Sequence, residues 1–213
     1  MATEPLRSYT VQDRQVFDLE LLLNGGFAPL TGFLNEADYH AVVESMRLAS
    51  GALWPIPVVL DVPESAPFAV GERIILKDVY GHELAYLDIE SRYQPDKMRE
   101  VQQVYGTDDT HHPGVAYVLQ QMHGTYLGGT VTAIAPPERH DFREYRYTPA
   151  QLRERFAARG WDEVVAFQTR NPMHRVHYEL VRRAHERTGK PVLVHPVVFF
   201  LMIRRPPRST PCG

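Results

Sequence analysis

The residues best suited to chemistry stand together in one segment, QTRNPMHRVH, which runs from Gln168 to His177. It follows an apolar run that predicts a β-strand and leads into a predicted helix from Met173 to Arg187. In open α/β sheets, ligands bind in the crevice at the carboxyl ends of the strands. A helix N-terminus also offers unpaired backbone N–H groups and partial positive charge. The position of the segment therefore favours an anion site.

The side chains at the start of this segment also suit an anion. Arg170 has a planar guanidinium that can donate two parallel hydrogen bonds to an oxyanion. Its neighbours are neutral polar residues that can add hydrogen bonds, namely Gln168, Thr169 and Asn171. A guanidinium and several neutral donors on one strand-to-helix loop indicate an anion or nucleotide site.

Two histidines follow at a spacing of three residues, His174 and His177. Both are predicted to project from one face of the first helical turn, where imidazoles could bind phosphate and stabilise charge on a leaving group. Two surface histidines are the ordinary interpretation of such a pair. A zinc site is disfavoured, because no glutamate follows the first histidine and no third ligand is evident. We therefore predict no metal ligands here.

The elements that must position the segment form a strand–helix–strand unit. Thr148 is predicted to cap a helix that has Pro149 in its first turn and ends at Gly160. The apolar runs Val164 to Gln168 and Pro191 to Val198 predict the two strands on either side of the second helix. Such a unit requires a parallel pair of strands with a right-handed crossover.

The first 147 residues have a different pattern. Short strands and helices are mixed there without a regular β–α–β order, which favours an α+β or barrel-like domain. The predicted helices cover Val11 to Leu23, Glu36 to Leu48 with Asn35 as N-cap, Asp96 to Tyr105 and Gly114 to Met122. The predicted strands cover Ile56 to Val62, Arg73 to Asp78, Glu83 to Ile89 and Thr130 to Ile134, with a hairpin turn at Tyr80 to His82.

Composition excludes several classes of protein. Hydrophobic residues make up 44% and charged residues 23% of 213 residues, which is typical of a globular protein. No apolar run approaches the roughly 20 residues of a membrane span, the N-terminus has no signal-peptide core, and a single cysteine excludes a disulfide framework. We therefore expect a cytoplasmic protein that binds no membrane. The net charge of −3 shows no global attraction to nucleic acid, so we expect no nucleic-acid partner.

The C-terminal text differs from the rest of the chain. Residues Met202 to Thr210 read MIRRPPRST, a string that a widely used sequencing-adapter oligonucleotide would encode, and we expect residues 199–213 to be non-native. A natural basic, proline-rich tail is the alternative. Without the three tail arginines, 20 basic residues face 26 acidic residues and the net charge becomes −6. We also expect the native sequence to stop within its second domain.

The segment QTRNPMHRVH resembles the QxRNPxHxxH signature of the ATP sulfurylase family. The resemblance extends on both sides, through TPAQLRERFAARGWDEVVAFQ before the segment and VLVHPVV after it. NGGFAPLTGFL, from Asn24 to Leu34, is similar to the family's N-terminal region, which has a PUA-like barrel fold. The resemblance covers about residues 5–198. It implies a PUA-like domain over residues 1–147 and the first, incomplete part of a Rossmann-like α/β nucleotidyltransferase domain over residues 148–198.

The resemblance also implies an activity, the transfer of the adenylyl group of MgATP to sulfate, which gives adenosine 5′-phosphosulfate and pyrophosphate. It implies that Gln168 and Arg170 bind sulfate, that Thr169, Arg170 and Asn171 are catalytic, and that Gln168, Asn171, His174 and His177 bind ATP. Mg²⁺ is expected on the nucleotide without dedicated protein ligands, and the complete protein is expected to form a homo-oligomer.

Two departures and two alternatives stand beside this resemblance. The later loops that complete the ATP site in the family are absent after Val198, so we expect this chain itself to be inactive. No GxxxxGK[ST] loop is present, so no fused kinase domain is visible. A non-catalytic member of the family and a PUA-like RNA-binding module are the alternative functions.

Overall fold

A computed structural model describes residues 5–135, 137, 140 and 142–197 of the chain. The chain divides into two compact units, Met1–Ala150 and Gln151–Gly213, which are called unit 1 and unit 2 below. The predicted boundary at residues 147 and 148 stays a prediction. The predicted non-native tail, residues 199–213, lies outside the described residues. None of the helices in the described part of the chain has both the length and the apolar composition needed to cross a membrane.

Unit 1 has six strands and four helices in its described residues, followed by one turn of 3₁₀-helix at Arg143–Tyr145. The strands are β1 (Ser8–Thr10), β2 (Gly32–Phe33), β3 (Leu60–Val62), β4 (Arg73–Lys77), β5 (Glu83–Tyr93) and β6 (Thr125–Ala133). The helices are α1 (Asp13–Leu23), α2 (Glu36–Ser45), α3 (Lys97–Tyr105) and α4 (Pro113–Ala116), and a π-helical turn at Tyr117–Gln121 continues α4.

The six strands form one mixed sheet in the order β1-β4-β5-β6-β2, with β3 also paired to β6. The predicted hairpin joins β4 and β5. Its turn is stabilised by the carboxylate of Asp78, which accepts hydrogen bonds from the backbone N–H groups of Tyr80 and His82, each 2.9 Å long. The sequence pattern underestimated the length of β6, which begins at Thr125, five residues before the predicted start. It missed β2, which lies within a Gly- and Pro-rich stretch that has no alternating pattern.

Local capping signals set the helix boundaries in unit 1. The side chain of Asn35 accepts a 2.9 Å hydrogen bond from the backbone N–H of Asp38, so the predicted N-cap of α2 is confirmed. Asp96 caps α3 in the same way through the N–H of Arg99. The core then comes from alternate strand residues such as Ile74 and Leu76 of β4, which are fully buried.

Unit 1 also buries a polar cluster beside its core. The hydroxyl groups of Tyr39 and Tyr126 donate hydrogen bonds of 2.9 and 3.2 Å to the same carboxylate oxygen of Glu100. The carboxylate of Asp61 accepts hydrogen bonds from the side chain of Gln15 and the backbone N–H of His123. These contacts replace water for carboxylates that are almost completely buried, which would otherwise destabilise the fold.

Unit 2 contains two helices and a pair of parallel strands. Its elements are α5, which begins at Pro149 in unit 1 and ends at Ala157, β7 (Val165–Thr169), α6 (Arg175–Thr188) and β8 (Val192–Pro196). β7 and β8 pair in parallel from Val165 opposite Val192 to Thr169 opposite Pro196, as the strand–helix–strand pattern predicted. Helix α6 begins at Arg175 rather than at Met173 as predicted, and Gly189 ends it in the left-handed conformation with a φ of 66°.

Candidate anion-binding site

The predicted anion-binding segment begins at the carboxyl end of β7. Gln168 and Thr169 are the last two residues of this strand, in register with His195 and Pro196 of β8. The backbone carbonyl of Thr169 accepts a 2.7 Å hydrogen bond from the N–H of Val197. The loop that follows therefore leaves from a strand end that is held by its neighbour.

The side chain of Thr169 closes a tight turn around Arg170. Its hydroxyl oxygen accepts a 3.1 Å hydrogen bond from the backbone N–H of Asn171 and donates one of 2.9 Å to the carbonyl of the same residue. Threonine hydroxyl groups stabilise turns in this way. Arg170 and Asn171 are exposed, and the guanidinium of Arg170 has no hydrogen-bond or ion-pair partner among the described residues.

The two predicted histidines lie side by side at the start of α6. His174 is the N-cap of the helix, in an extended conformation with φ −120° and ψ 177°, and its side chain makes no capping hydrogen bond. The ring centroids of His174 and His177 are 3.9 Å apart and their planes differ by 33°. The pair therefore forms although only His177 lies within the helix, because the extended N-cap brings the first ring back over the first turn.

The two imidazoles differ in their surroundings. His174 is exposed, whereas His177 is half-buried and its ring centroid lies 5.6 Å from that of Phe167 on β7. The Nδ1 atom of His177 is buried and has no hydrogen-bond partner within the described part of the chain. An unpaired buried polar atom is uncommon and points to a functional constraint on this ring.

The local charges favour an anion. Residues 168–178 contain two arginines, Arg170 and Arg175, and no carboxylate. The next acid, Glu179, accepts a 2.9 Å hydrogen bond from Arg182, and this contact lowers the pKa of Glu179. Its charge is thus paired along the helix, while the positive end of the α6 dipole faces the loop.

The donor set suits an anion better than a metal ion. The described residues contain no group of three or more His, Cys, Asp or Glu side chains that could bind a metal. The segment from Gln168 to His177 offers two guanidinium groups, two side-chain amides, a hydroxyl group and two imidazoles, whereas Mg²⁺ prefers carboxylate and phosphate oxygens.

The predicted site residues lie together at one edge of unit 2. Gln168, Thr169, Arg170, Asn171, His174 and His177 lie within ten consecutive residues on one strand end, one loop and one helix start. His195 is opposite Gln168 in the β7–β8 ladder. The His-Pro pair within the apolar segment VLVHPVV was the sequence signal for the position of His195, because it marks where the second strand reaches the same edge of the sheet.

The comparisons with known proteins divide the chain in a similar way. The family described as PUA-like domain matches residues 1–136, and the family described as ATP-sulfurylase matches residues 143–200. Curated relatives named sulfate adenylyltransferase include those of Schizosaccharomyces pombe, 47% identical over 91% of this chain and 40% of the relative, and Gibberella zeae, 46% identical over 92% of this chain and 35% of the relative. The chain thus spans well under half of these relatives.

A solved structure extends the likeness to the fold. A hexameric APS kinase from Thiobacillus denitrificans matches with a TM-score of 0.72 and 30% sequence identity, over 90% of this chain and 34% of that chain. The fold and the site define a PUA-like domain followed by the beginning of a nucleotidyltransferase-like α/β unit. The chain belongs to the PUA-like domain family, and its resemblance to ATP sulfurylases is confirmed.

Proposed function

We propose that this chain is part of a sulfate adenylyltransferase. A sulfate oxygen would form a bond to the α-phosphorus of ATP while the bond from that phosphorus to the bridging oxygen of pyrophosphate breaks. The products would be adenosine 5′-phosphosulfate and pyrophosphate. Sulfate is already ionised near neutral pH, so the site needs no general base and must instead hold two anions in line.

The observation that supports this function best is the exposed guanidinium of Arg170, which has no partner among the described residues, at the tip of a closed turn. The turn fixes the backbone on both sides of Arg170. Residues 168–178 contain no carboxylate that would compete with sulfate for the planar guanidinium group of Arg170. Gln168 would add a second contact to the same anion from the end of β7. Positioning and charge are the main requirements of adenylyl transfer.

The remaining residues would act on the nucleotide. Asn171 and Gln168 would contact ATP, and His174 and His177 would donate hydrogen bonds to its phosphates as pyrophosphate departs. Thr169 would act by holding the turn. Mg²⁺ would enter with ATP and neutralise phosphate charge when bound. A cytoplasmic location, where MgATP is available, and a homo-oligomeric assembly of the complete protein are parts of the same proposal.

A chimera tests the activity directly. Residues 5–197 would replace the aligned segment of the Schizosaccharomyces pombe relative, and pyrophosphate release from MgATP would be measured with and without sulfate. We expect sulfate-dependent release. Arg170→Lys should reduce it by at least ~100-fold, because lysine keeps the charge but loses the bidentate geometry.

Arg187→Lys in the last turn of α6 provides the matched control and should retain the activity of the chimera. Near-normal turnover of Arg170→Lys would contradict the role of Arg170 in sulfate binding. A chimera that folds but releases no pyrophosphate in the presence of sulfate would contradict the proposed function itself.

A further inference from the structure

The two ring nitrogens of His177 differ in their surroundings. Its Nδ1 atom is buried and has no partner among the residues that the structure describes, and of its two ring nitrogens only Nδ1 is in this state. The rings of Phe167 and His174 lie against it, with centroids 5.6 and 3.9 Å away. The polar atom that can reach a ligand is therefore Nε2.

The proton of the neutral ring can be on either nitrogen, and the surroundings decide which. A proton on Nδ1 would bury an N–H donor that has no acceptor. Buried N–H groups without a partner are rarer in proteins than acceptors whose lone pairs are incompletely used. A proton on Nε2 leaves Nδ1 as a buried lone pair without a donor, which is the less costly arrangement.

We propose that Phe167 is a positioning residue that covers Nδ1 of His177 and thereby fixes this imidazole as an Nε2–H donor directed at the anion-binding loop. Phe167 lies on β7 directly before Gln168, so the strand that presents the loop also supplies the cover. The role of this donor toward a bound phosphate rests on the proposed function. The tautomer and its dependence on Phe167 rest on the packing alone.

Long-range ¹H–¹⁵N correlation spectra of the labelled chain test the proposal, because the two tautomers give opposite patterns of pyridine-type and pyrrole-type nitrogen shifts. The measurement is made near pH 8, above the ordinary histidine pKa of about 6.5. We expect an Nε2–H to Nδ1–H ratio of at least about tenfold for His177. Phe167→Ala admits water to Nδ1 and should lower this ratio at least about threefold. Phe167→Leu keeps an apolar cover and should retain it.

Phe156→Ala is the matched control, because the Phe156 ring packs on Trp161 of the same unit with centroids 6.1 Å apart. It should leave the tautomer ratio of His177 unchanged. If Phe167→Ala unfolds unit 2, the wild-type ratio and that of Phe167→Leu still decide the question. A dominant Nδ1–H form in the wild type, or a loss of the ratio in Phe167→Leu as large as in Phe167→Ala, would overturn the proposal.

Titration of the wild-type chain with inorganic pyrophosphate separates this proposal from the proposed function. A shift of the His177 Nε2 resonance upon titration supports both. An Nε2–H tautomer that depends on the residue at position 167, together with no response to pyrophosphate, supports the positioning role of Phe167 and contradicts anion binding by this chain.

Discussion

Tyr39 and Glu100 stand 61 positions apart in the sequence and meet in a 2.9 Å hydrogen bond between the tyrosine hydroxyl and the buried carboxylate. Tyr126 donates to the same oxygen. Burial raises the pKa of Glu100, and the hydrogen bonds from these tyrosines, together with the charges of Lys97 and Arg14, offset only part of that effect. The cluster ties α2, α3 and β6 together through one acid.

The stability of unit 1 should respond to pH through this acid. A carboxyl group with a raised pKa in the folded state binds its proton more tightly there than in the unfolded chain. Glu100 therefore favours folding at low pH, and this contribution is lost as pH rises from the ordinary value of 4.5 through the raised pKa. The free energy of unfolding from urea titrations at several pH values, measured for the wild type and for Glu100→Gln, should show this loss in the wild type only.

The difference between the two curves isolates Glu100, because paired acids such as Asp88, whose pKa Arg73 lowers, contribute equally to both. Glu64→Gln, at an exposed position, is the control and should reproduce the wild-type pH dependence. Parallel curves for the wild type and Glu100→Gln would contradict the prediction, because they would mean that the carboxyl group of Glu100 has the same pKa in the folded and the unfolded chain.

The hydroxyl group of Tyr39 should stabilise the fold through Glu100 rather than by itself. Tyr39→Phe removes one of two donors to a buried acid, which should lower the free energy of unfolding by about 1–3 kcal/mol. A double-mutant cycle with Glu100→Gln measures the coupling. We expect a clearly smaller effect of Tyr39→Phe in the Glu100→Gln background, and equal effects in both backgrounds would refute the coupling.

Gly128 and Gly129 should tolerate no side chain, because β6 touches neighbouring backbone there. A Cβ atom on Gly129 would lie 1.9 Å from the carbonyl oxygen of Asp88, and one on Gly128 would lie 2.4 Å from the carbonyl oxygen of Leu34. We expect Gly129→Ala to destabilise unit 1 by at least ~3 kcal/mol in thermal or urea unfolding, since backbone atoms must move. Gly124→Ala meets no atom within 4 Å and should change the stability little, so a similar loss in both variants would contradict the argument.

The turn around Arg170 should depend on the hydroxyl group of Thr169. Thr169→Val keeps the shape of the side chain but loses both hydrogen bonds to Asn171. Hydrogen exchange at the amide of Asn171 should accelerate about fivefold, since a typical hydrogen bond contributes ~1 kcal/mol. Thr169→Ser retains the hydroxyl group and should retain the protection, whereas equal rates in all three proteins would exclude a role for this turn.

Limited trypsin digestion should leave a fragment of unit 1. A contiguous set of buried apolar side chains stabilises that unit, whereas every side chain of residues 151–197 is at least partly exposed. At ~25 cal/mol per Å² of buried apolar surface, the difference in buried apolar surface between the two units corresponds to a free energy comparable with the whole stability of a domain. Early cleavage is expected after Arg143 or Arg146 and within unit 2, and a resistant fragment beginning after residue 150 would contradict this order.

The sequence determined the local elements and the candidate site. Asn35 and its apolar period fixed α2, and the apolar runs before Gln168 and around Val194 fixed the parallel pair of unit 2. The chemistry of QTRNPMHRVH was also visible in the sequence, because its residue types and its place between a strand and a helix are local properties. Such signals need no knowledge of distant contacts.

Only the tertiary structure decided which distant residues meet. β2 has two residues and no alternating pattern, and it is a strand because Gly32 pairs with Thr130 across the chain. Nothing in the sequence indicated that Glu100 accepts hydrogen bonds from Tyr39 and Tyr126, or that the rings of Phe167 and His177 come within 5.6 Å of each other. These contacts depend on the packing of elements separated in sequence, and the free energy of burying a carboxylate or a ring nitrogen is set by that packing.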